Sequence, residues 1–297
     1  MNLNRLATFE AVARLRSFTA AARELALSQP AVSVQIRELE HHFGLSLLDR
    51  RRRRGLVLTS DGEVLYGYAR RMLDTARQAE QAIAGARELQ SGNLSLVATP
   101  TAASYALPAV LGEFKGRYPG VHVRLLVLNS QEALAHLGGL HADLGVMTGA
   151  IRDRRLRTVP FFEDELVLAL PVGHRLAGRR SVDVTQLAGE RMIVRERGSA
   201  TRALIESEFR RAGVRFETTM ELASNEATLQ AVAVGNGCAI VSAEMARRDT
   251  EARRIAAVRV RGVALRRTFR FAFPAERAHY PTIQKFIETG RRAMRRP

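Results

Sequence analysis

Residues 28–40 constrain the fold of this chain most, because they predict a helix with one dry face. Ser28 is a good N-cap, and Pro30 in the first turn loses no hydrogen-bond donor that the helix needs. Apolar side chains follow at spacings of four, three and four residues, which gives one stripe: Val32, Ile36, Leu39 and Phe43. The opposite face carries Gln29, Ser33 and Arg37. Such side chains reach base edges and phosphates, so this stretch is a candidate reader of nucleic acid.

A short Ala-rich helix is predicted just before it, over residues 18–25, with residues 26–28 as a tight turn. Helix, three-residue turn and helix is the spacing of a helix-turn-helix, whose second helix enters the major groove of DNA. The pattern also fits an ordinary helical hairpin in a protein core, because short helix pairs are common. Periodicity alone leaves both interpretations open.

The residue identities resemble the N-terminal signature of LysR-type transcriptional regulators. The matches lie at residues 17–22, 25, 28–33, 35–36, 39–40, 44 and 47–48. The resemblance implies a winged helix-turn-helix domain over residues 1–59 that binds a double-stranded DNA operator, and RNA polymerase as a partner if the protein activates. The DNA contacts it implies in the helix are Ser28, Gln29, Pro30, Ser33, Val34 and Arg37. Val34 departs from the Arg or Lys that family members often carry.

Two short strands are predicted at residues 45–50 and 56–59, and five consecutive arginines run from the last residue of the first strand through residue 54. Strand, glycine turn at Gly55 and strand make a hairpin, the wing of such a domain. A charge run is often only a solvated loop, but beside a recognition helix it favours contact with phosphates or the minor groove. The predicted contacts here are Arg50, Arg51, Arg52, Arg53, Arg54 and Thr59.

The net charge of +16 is weak evidence for DNA binding because of where it lies. Residues 1–90 hold 14 basic against 10 acidic side chains, whereas residues 91–297 hold 32 against 20. The local arginine cluster is therefore more informative than the total. The 46% hydrophobic content excludes disorder, and no apolar run approaches the ~20 residues of a membrane span.

A long amphipathic helix is predicted over residues 60–91, with Ser60 and Glu63 as a capping box. The a and d positions of a heptad repeat hold Leu65, Tyr68, Met72, Thr75, Ala79, Ala82, Ala86 and Leu89. This small seam fits either a helix packed on its own domain or a dimerisation helix. LysR-type regulators pair two subunits through such a linker. The resemblance implies a homodimer or homotetramer, and two-fold symmetry then requires a pseudo-palindromic operator.

Residues 92–297 alternate between strand and helix patterns, which indicates an α/β domain with mostly parallel sheets. The predicted strands lie at residues 94–98, 121–128, 144–147, 166–170, 192–194, 239–241 and 269–273. This half resembles the effector domain of the same family. The resemblance implies a two-lobed fold like type 2 periplasmic binding proteins, with lobe I at residues 92–161 and 269–297 and lobe II at residues 162–268.

Two strand-to-helix junctions, residues 99–104 and 195–202, are rich in small polar side chains. Either alone is more typical of a helix cap, but facing each other across a cleft they would suit an anion. The resemblance implies an effector between the lobes near both junctions. The candidate effector-binding residues are Thr99, Pro100, Thr101, Ala102, Ser104, Ser199, Thr201, Arg202 and Asn225.

Residues 198–202, 225–227 and 231–232, with Gly235 and Gly237, resemble the members of the family that regulate carbon fixation or sulfur assimilation. Thr99 and Thr101 match positions that ligate small oxyanions in some sulfur regulators, whereas Ala102 departs from the polar residue often found there. That departure disfavours a sulfate-like ligand. A phosphorylated sugar or a small carboxylate stays open, with Arg195 or Arg202 as its charge partner.

Other functional classes find little support in the sequence. His136 and His141 are five apart with two glycines between them, and Cys238 lies in a buried-strand pattern typical of a core thiol. We therefore expect no catalytic set, no metal site and no cofactor. A two-lobed transport protein is the competing class, and the first 60 residues argue against it. One cysteine and the absence of an apolar leader favour a cytoplasmic protein.

Overall fold

The structure is a computed structural model that describes residues 2–49, 56–85 and 91–294. The chain divides into two compact units, Met1–Ile83 and Ala84–Pro297. The arginine run at residues 50–54, the Gly55 turn and the heptad positions Ala86 and Leu89 lie outside the described residues, as does the side chain of Ala82. No helix in the described part of the chain is long and apolar enough to cross a membrane.

The first unit contains four helices and a two-stranded antiparallel hairpin in its described residues. The elements are α1 (Leu3–Leu15), α2 (Phe18–Glu24), α3 (Gln29–Phe43), β1 (Leu48–Asp49), β2 (Val57–Leu58) and α4 (Ser60–Gly85). Phe9, Ile36 and Leu39 are fully buried in its core, and Ala69 of α4 joins the same cluster. The predicted helix pair and wing strands are thereby confirmed.

The helix ends follow from local hydrogen bonding. Ser17 accepts the backbone N–H of Ala20 and begins α2, and Ser28 accepts the N–H of Ala31 at 3.3 Å and begins α3. Gly44 ends α3 with a φ of 66°, a left-handed conformation that glycine adopts without strain. One part of the predicted stripe is wrong, because Phe43 is 38% exposed at the last position of the helix. The core that buries Leu39 does not extend over the next turn.

The predicted capping box of α4 is wrong by one residue. The N-cap is Thr59, whose hydroxyl accepts the N–H of Gly62 at 3.0 Å and whose carbonyl accepts the N–H of Glu63 at 2.9 Å. The same hydroxyl donates to the carbonyl of Ser46 at 2.8 Å. Thr59 directly follows β2, so the end of the wing strand fixes where the helix begins.

The second unit is a mixed α/β structure. Its strands are β3 (Gly92–Ala98), β4 (Val121–Val127), β5 (Leu144–Met147), β6 (Leu156–Pro171), β7 (Ser181–Asp183), β8 (Arg191–Arg195), β9 (Glu217–Leu222), β10 (Ala239–Ser242), β11 (Ile255–Arg261) and β12 (Arg266–Pro274). Its helices are α5 (Leu107–Arg117), α6 (Ser130–Gly138), α7 (Ala200–Arg211), α8 (Asn225–Ala233), α9 (Ala243–Glu251) and α10 (Pro281–Ala293).

The main sheet runs in the order β4-β3-β5-β12-β6-β11-β7, and β10 also pairs with β6. The prediction of mostly parallel sheets is wrong for its centre, because β6 is antiparallel to β10, β11 and β12. The 16-residue β6 pairs with β12 through its first part and with β10 and β11 through its last part. The chain thus leaves one lobe on β6 and returns on β12, which makes these two strands antiparallel.

Separate hydrophobic clusters lie at the two ends of these shared strands. Leu96, Phe114 and Phe271 belong to the first cluster, which defines lobe I, and α10 packs on it through Ile283 and Phe286. Leu168, Phe209 and Ile240 belong to the second, which defines lobe II. The two-lobed fold is thereby confirmed, whereas the predicted lobe boundaries at residues 161/162 and 268/269 stay a prediction.

Candidate functional site

The outer face of α3 is the candidate nucleic-acid interface of the first unit. Gln29 and Arg37 are exposed, and the Gln29 amide donates to the Ser33 hydroxyl at 3.0 Å. Val34 is 41% exposed between them. Within the described residues, no carboxylate lies in ion-pair contact with Arg37. The face therefore carries an amide and a guanidinium, the two groups that read adenine and guanine edges bidentately.

Of the other predicted DNA contacts, Ser28, Pro30 and Thr59 lie among the described residues. Ser28 and Pro30 are exposed at the start of α3, where the Ser28 hydroxyl is engaged in capping. Thr59 is half-buried and uses its hydroxyl to cap α4. The five arginines of the predicted wing lie outside the described residues.

The second candidate site is a polar pocket between the two junctions predicted in the second unit. Backbone groups join the lobes there: the N–H of Gln131 donates to the carbonyl of Gly198 at 3.1 Å, and the N–H of Ala200 donates to the Ser130 hydroxyl at 3.3 Å. Gly198 has a φ of 87°, and a Cβ there would lie 3.0 Å from the Asn129 side-chain oxygen. This close approach requires glycine.

The pocket at this contact is small and is lined almost entirely by polar side chains. Its lining residues are Thr99, Pro100, Thr101, Asn129, Ser130, Thr148, Arg195, Glu196, Ser199, Thr201 and Arg267. The cavity volume is about 10 Å³, which is enough for about one water molecule. A second cavity shares Thr101, Arg195, Thr201 and Arg267 with it, and adds Arg202, Asn225 and apolar side chains of lobe II.

Arg267 lies at the junction of the two cavities and is 8% exposed. Its Nε and Nη2 contact Asp164 at 2.8 and 2.6 Å, its Nη1 donates to the Thr201 hydroxyl, and Nη2 also donates to the Thr101 hydroxyl at 3.4 Å. Burial lowers the pKa of the Arg267 guanidinium, and the Asp164 carboxylate opposes that shift. The second carboxylate oxygen of Asp164 accepts the Ser242 hydroxyl at 2.7 Å. The cation is therefore held by a fully engaged carboxylate.

Thr101 is the centre of the contacts that cross the pocket. Its hydroxyl oxygen accepts the Asn225 amide at 3.3 Å and lies 3.4 Å from Nη2 of Arg267. Thr99 lies two residues earlier, at the end of β3, and is 6% exposed. Its hydroxyl has no hydrogen-bond partner among the described residues. A buried hydroxyl without a partner costs free energy, and one that lines a polar cavity is accessible to a water molecule or a ligand.

The backbone after Thr101 also departs from regular helix. Residues Ala102–Ala106 form a π-helical turn before α5, a rare conformation that is frequently found at functional sites. This turn directs Ala102 into the core of lobe I, where it is fully buried, and leaves Ser104 exposed. Neither residue lines the pocket, in contrast to their neighbours Thr99, Pro100 and Thr101.

Lobe II brings Ser199 and Thr201 to the pocket and Asn225 to the second cavity, whereas the Arg202 guanidinium is engaged by two carboxylates. It pairs with Glu206 at 2.7 Å and Glu221 at 2.6 Å, and these hydrogen bonds raise its pKa. Sequence reasoning missed Arg267, Asn129, Ser130, Thr148 and Glu196 as lining residues. Arg267 comes from a strand 66 residues beyond Thr201, and one arginine of an Arg-rich chain gives no local signal.

One cluster in the described residues has the composition of a metal site: His174, Glu190 and Cys238, whose side-chain ligand atoms lie within 4.8 Å of one another. The His174 Nδ1 accepts the N–H of Leu176 at 3.3 Å, so its Nε2 carries the proton and faces Glu190 at 3.3 Å. Burial raises the pKa of the Cys238 thiol to about 11. The His174 Nε2 lies 3.3 Å from the Glu190 carboxylate and 3.8 Å from the Cys238 sulfur, so the three side chains contact one another through the histidine.

The chain matches two family descriptions that together span almost its whole length. Residues 3–63 match a bacterial regulatory helix-turn-helix protein of the lysR family, and residues 87–295 match a LysR substrate binding domain. A RuBisCO operon transcriptional regulator of Allochromatium vinosum is 34% identical over 288 residues, which are 97% of this chain and 95% of that protein. The family matches confirm the resemblance stated from the N-terminal signature, and the RuBisCO operon regulator agrees with the resemblance to carbon-fixation regulators.

Two solved structures share the fold. CbnR complexed with its target DNA is 26% identical, with a TM-score of 0.67 over 99% of this chain and 100% of that one. The CcmR regulatory domain of Synechocystis PCC6803, in complex with 2-PG, is 29% identical, with a TM-score of 0.65 over 69% of this chain and 99% of that one. This chain belongs to the LysR family of bacterial helix-turn-helix transcriptional regulators.

Proposed function

We propose that this LysR-family regulator reads a pseudo-palindromic operator with α3 and responds to a small anionic metabolite held in its polar pocket. The observation that carries the ligand proposal is the buried, unpartnered hydroxyl of Thr99 in the same cavity as Arg195 and Arg267. Hydroxyl donors beside two guanidinium groups form a site that suits oxyanions.

Two helix N-termini support the same choice of ligand. The nine-residue α6 and the twelve-residue α7 both begin at the pocket, with Ser130 and Ser199 among the lining residues. The positive end of each helix dipole favours a negative charge. Since the CcmR regulatory domain was solved with 2-PG, we propose a small phosphorylated or carboxylated anion of that kind for this chain.

Binding regulates only if the ligand has different affinities for two states of the protein. The pocket has room for about one water molecule, so we propose that an anion binds a more open arrangement of the lobes. A change of lobe angle would then alter the spacing of paired reading heads on the operator. In this proposal the protein is not an enzyme and acts in the cytoplasm.

A homodimer is supported by an exposed apolar stripe on α4. Val64, Tyr68 and Met72 are 62%, 52% and 38% exposed at successive spacings of four residues, on a face next to the buried Ala69. Thr75 and Ala79 continue the exposed stripe. We propose that a second copy of α4 covers these side chains, as a homodimer that can assemble further into a tetramer.

The DNA proposal is tested by changing the exposed arginine of α3. We expect Arg37→Ala to weaken binding to the intergenic DNA beside the gene by about 1–3 kcal/mol, with a much smaller loss on random DNA. Arg124→Ala removes the same charge from an exposed position on β4 and should change neither affinity. Equal losses on both DNAs would mean that Arg37 positions the protein rather than reads bases.

The ligand proposal is tested with two buried threonines whose hydroxyls both lack partners in the described residues, Thr99 and Thr282. Replacing either by valine breaks no hydrogen bond, so the ligand-free melting temperature should stay the same or rise. With 2-PG or inorganic phosphate added, Thr99→Val should lose the thermal stabilisation that the wild type and Thr282→Val retain. An undiminished shift in Thr99→Val would exclude this pocket as the anion site.

A further inference from the structure

The charge of Arg195 is neutralised by Glu196, which itself lines the pocket. Nε and Nη2 of Arg195 donate to both carboxylate oxygens of Glu196, at 2.8 and 3.0 Å. The opposite edge of the guanidinium is fixed by the Asn225 amide oxygen, 2.6 Å from Nη1, and by the Ala223 carbonyl, 3.0 Å from Nη2. The fork of Arg195 thus holds a carboxylate bidentately, the arrangement in which it would hold a ligand carboxylate or phosphate.

The two arginines of the pocket differ in how their carboxylates are held. Asp164, the partner of Arg267, is 8% exposed and also accepts the Ser242 hydroxyl, and it does not line the cavity. Glu196 lines the cavity and follows the last residue of β8, and Arg195 is the one side chain that hydrogen-bonds its carboxylate among the described residues. The pair of Arg267 and Asp164 is therefore fixed by further contacts, whereas Glu196 can leave Arg195 without breaking another side-chain hydrogen bond within the described residues.

Glu196 also sets the charge that an incoming anion meets. With Arg267 neutralised by Asp164 and Arg195 by Glu196, the four charged groups at the pocket sum to zero. An anion that approaches Arg195 encounters the Glu196 carboxylate at hydrogen-bond distance from the same nitrogens. Two carboxylates, or a carboxylate and a phosphate, repel at such separations in a poorly hydrated site.

We propose that Glu196 is an internal competitor for the anionic effector: it occupies Arg195 in the ligand-free protein, and the effector binds by displacing it. This inference rests on the proposed anion pocket and adds a selection rule to it. A successful ligand must offer two oxygens in one plane to the Nε and Nη2 edge of Arg195, as carboxylates and phosphates do. Glu196 thus makes the pocket discriminate against anions that bind through a single oxygen.

The experiment compares Glu196→Gln with Glu221→Gln in the full-length chain. Both variants replace a glutamate by glutamine and therefore change the net charge by the same amount. Glu221 serves as the control because it is 44% exposed, pairs with Arg202 in the same lobe and does not line the pocket. Inorganic phosphate and 2-PG are titrated into each protein by calorimetry. We expect Glu196→Gln to bind both probes about tenfold more tightly than the wild type, because a charge-assisted bidentate pair no longer has to be broken. Glu221→Gln should match the wild type.

Three results would overturn the inference. Unchanged or weaker binding by Glu196→Gln would mean that Glu196 positions Arg195 for the ligand, and equal tightening in Glu221→Gln would reduce the effect to net charge. If neither the wild type nor Glu196→Gln binds either probe, the proposed anion pocket itself fails. Glu196→Asp, whose shorter side chain cannot keep both contacts, gives a second variant in case the glutamine variant does not fold, and it should also bind more tightly.

Discussion

Arg277 illustrates how a charged side chain can be a core residue. It is 1% exposed, and its guanidinium donates to Asp143 at 2.7 Å and to the carbonyls of Ala142 and Leu140 at 3.0 and 3.1 Å. Asp143 in turn accepts the backbone N–H of Ser95 on β3 at 2.8 Å. Through these bonds Arg277 connects the end of β12 to the loop before β5 and to the first strand of lobe I.

We expect Arg277→Met to lower the free energy of unfolding of the second unit by about 3–5 kcal/mol. The change would remove the cation that pairs with the largely buried Asp143 carboxylate and with two backbone carbonyls, which costs far more than the loss of a surface pair. Denaturant unfolding measures the difference. Arg155→Met, which removes an exposed pair with Asp153, is the matched control and should leave the midpoint unchanged. Similar losses in the two variants would contradict the assignment of Arg277 as a core residue.

Glu196 and Thr99 differ from Arg277, whose guanidinium is fully used in contacts within lobe I. Each is a side chain that the folded protein does not use fully for its own stability: one hydroxyl lacks a partner, and one carboxylate has a partner that a ligand can take. Both side chains line the cavity, where a ligand can use this capacity, whereas the unpartnered hydroxyl of Thr282 lies outside it. This contrast separates the pocket from the buried pair of Arg277 and Asp143.

At the scale of elements, α4 shows how a helix is fixed at one end by a strand. Gly62 in its first turn lies against the backbone of Leu47, and a Cβ there would be 2.1 Å from the Leu47 carbonyl oxygen. Gly67, one and a half turns later, has no atom within 4 Å of such a Cβ. The helix thus contains one glycine that its packing requires and one that it does not.

We predict opposite effects for alanine at these two positions. Gly62→Ala should destabilise the first unit, because the helix must move away from β1. Gly67→Ala should stabilise it by about 0.5–1 kcal/mol, because alanine loses less backbone entropy in a helix. Thermal unfolding of both variants provides the measurement, each serving as the control for the other. Stabilisation by Gly62→Ala would show that the contact with Leu47 is not tight.

The sequence patterns missed the first half of β6, at residues 156–165, and the whole of β7, β9 and β11. Most side chains of these segments are half-buried or exposed. Their apolar alternation is therefore weak, and pairing with neighbouring strands makes them strands. Buried strands such as β5 and β10, with four buried residues each, were predicted almost to the residue.

At the scale of the whole molecule, the proposed α4 interface joins the helix-turn-helix domains of two subunits. We expect Tyr68→Glu combined with Met72→Glu to yield a monomer and to weaken operator binding by more than tenfold, because each subunit then binds one half-site alone. Sedimentation and gel-shift measurements test the two parts. Glu63→Gln, an exposed change on another face of α4, should leave both unchanged. A stable dimer of the double variant would exclude this stripe as the interface.

The sequence by itself determined the helix-turn-helix, the family and the two polar junctions of the pocket. These features depend on local caps, on apolar spacing and on residue identities within short stretches, such as Ser28 with its stripe of Val32, Ile36 and Leu39. Residues 99–101 and 199–201 could likewise be identified because small polar side chains stand together where a strand gives way to a helix.

Only the tertiary structure decided what completes the pocket and which charges are available in it. Arg267 reaches the pocket from β12, Asp164 neutralises it from β6, and Glu196 occupies Arg195. Arg267 and Asp164 are 103 positions apart in the chain, whereas Arg195 and Glu196 are neighbours that only the fold brings into the same cavity. Long-range contacts of this kind follow from sheet register and from strands that cross between lobes, and neither leaves a local pattern in the sequence. In an Arg-rich chain the arginines cannot be ranked until their partners are known.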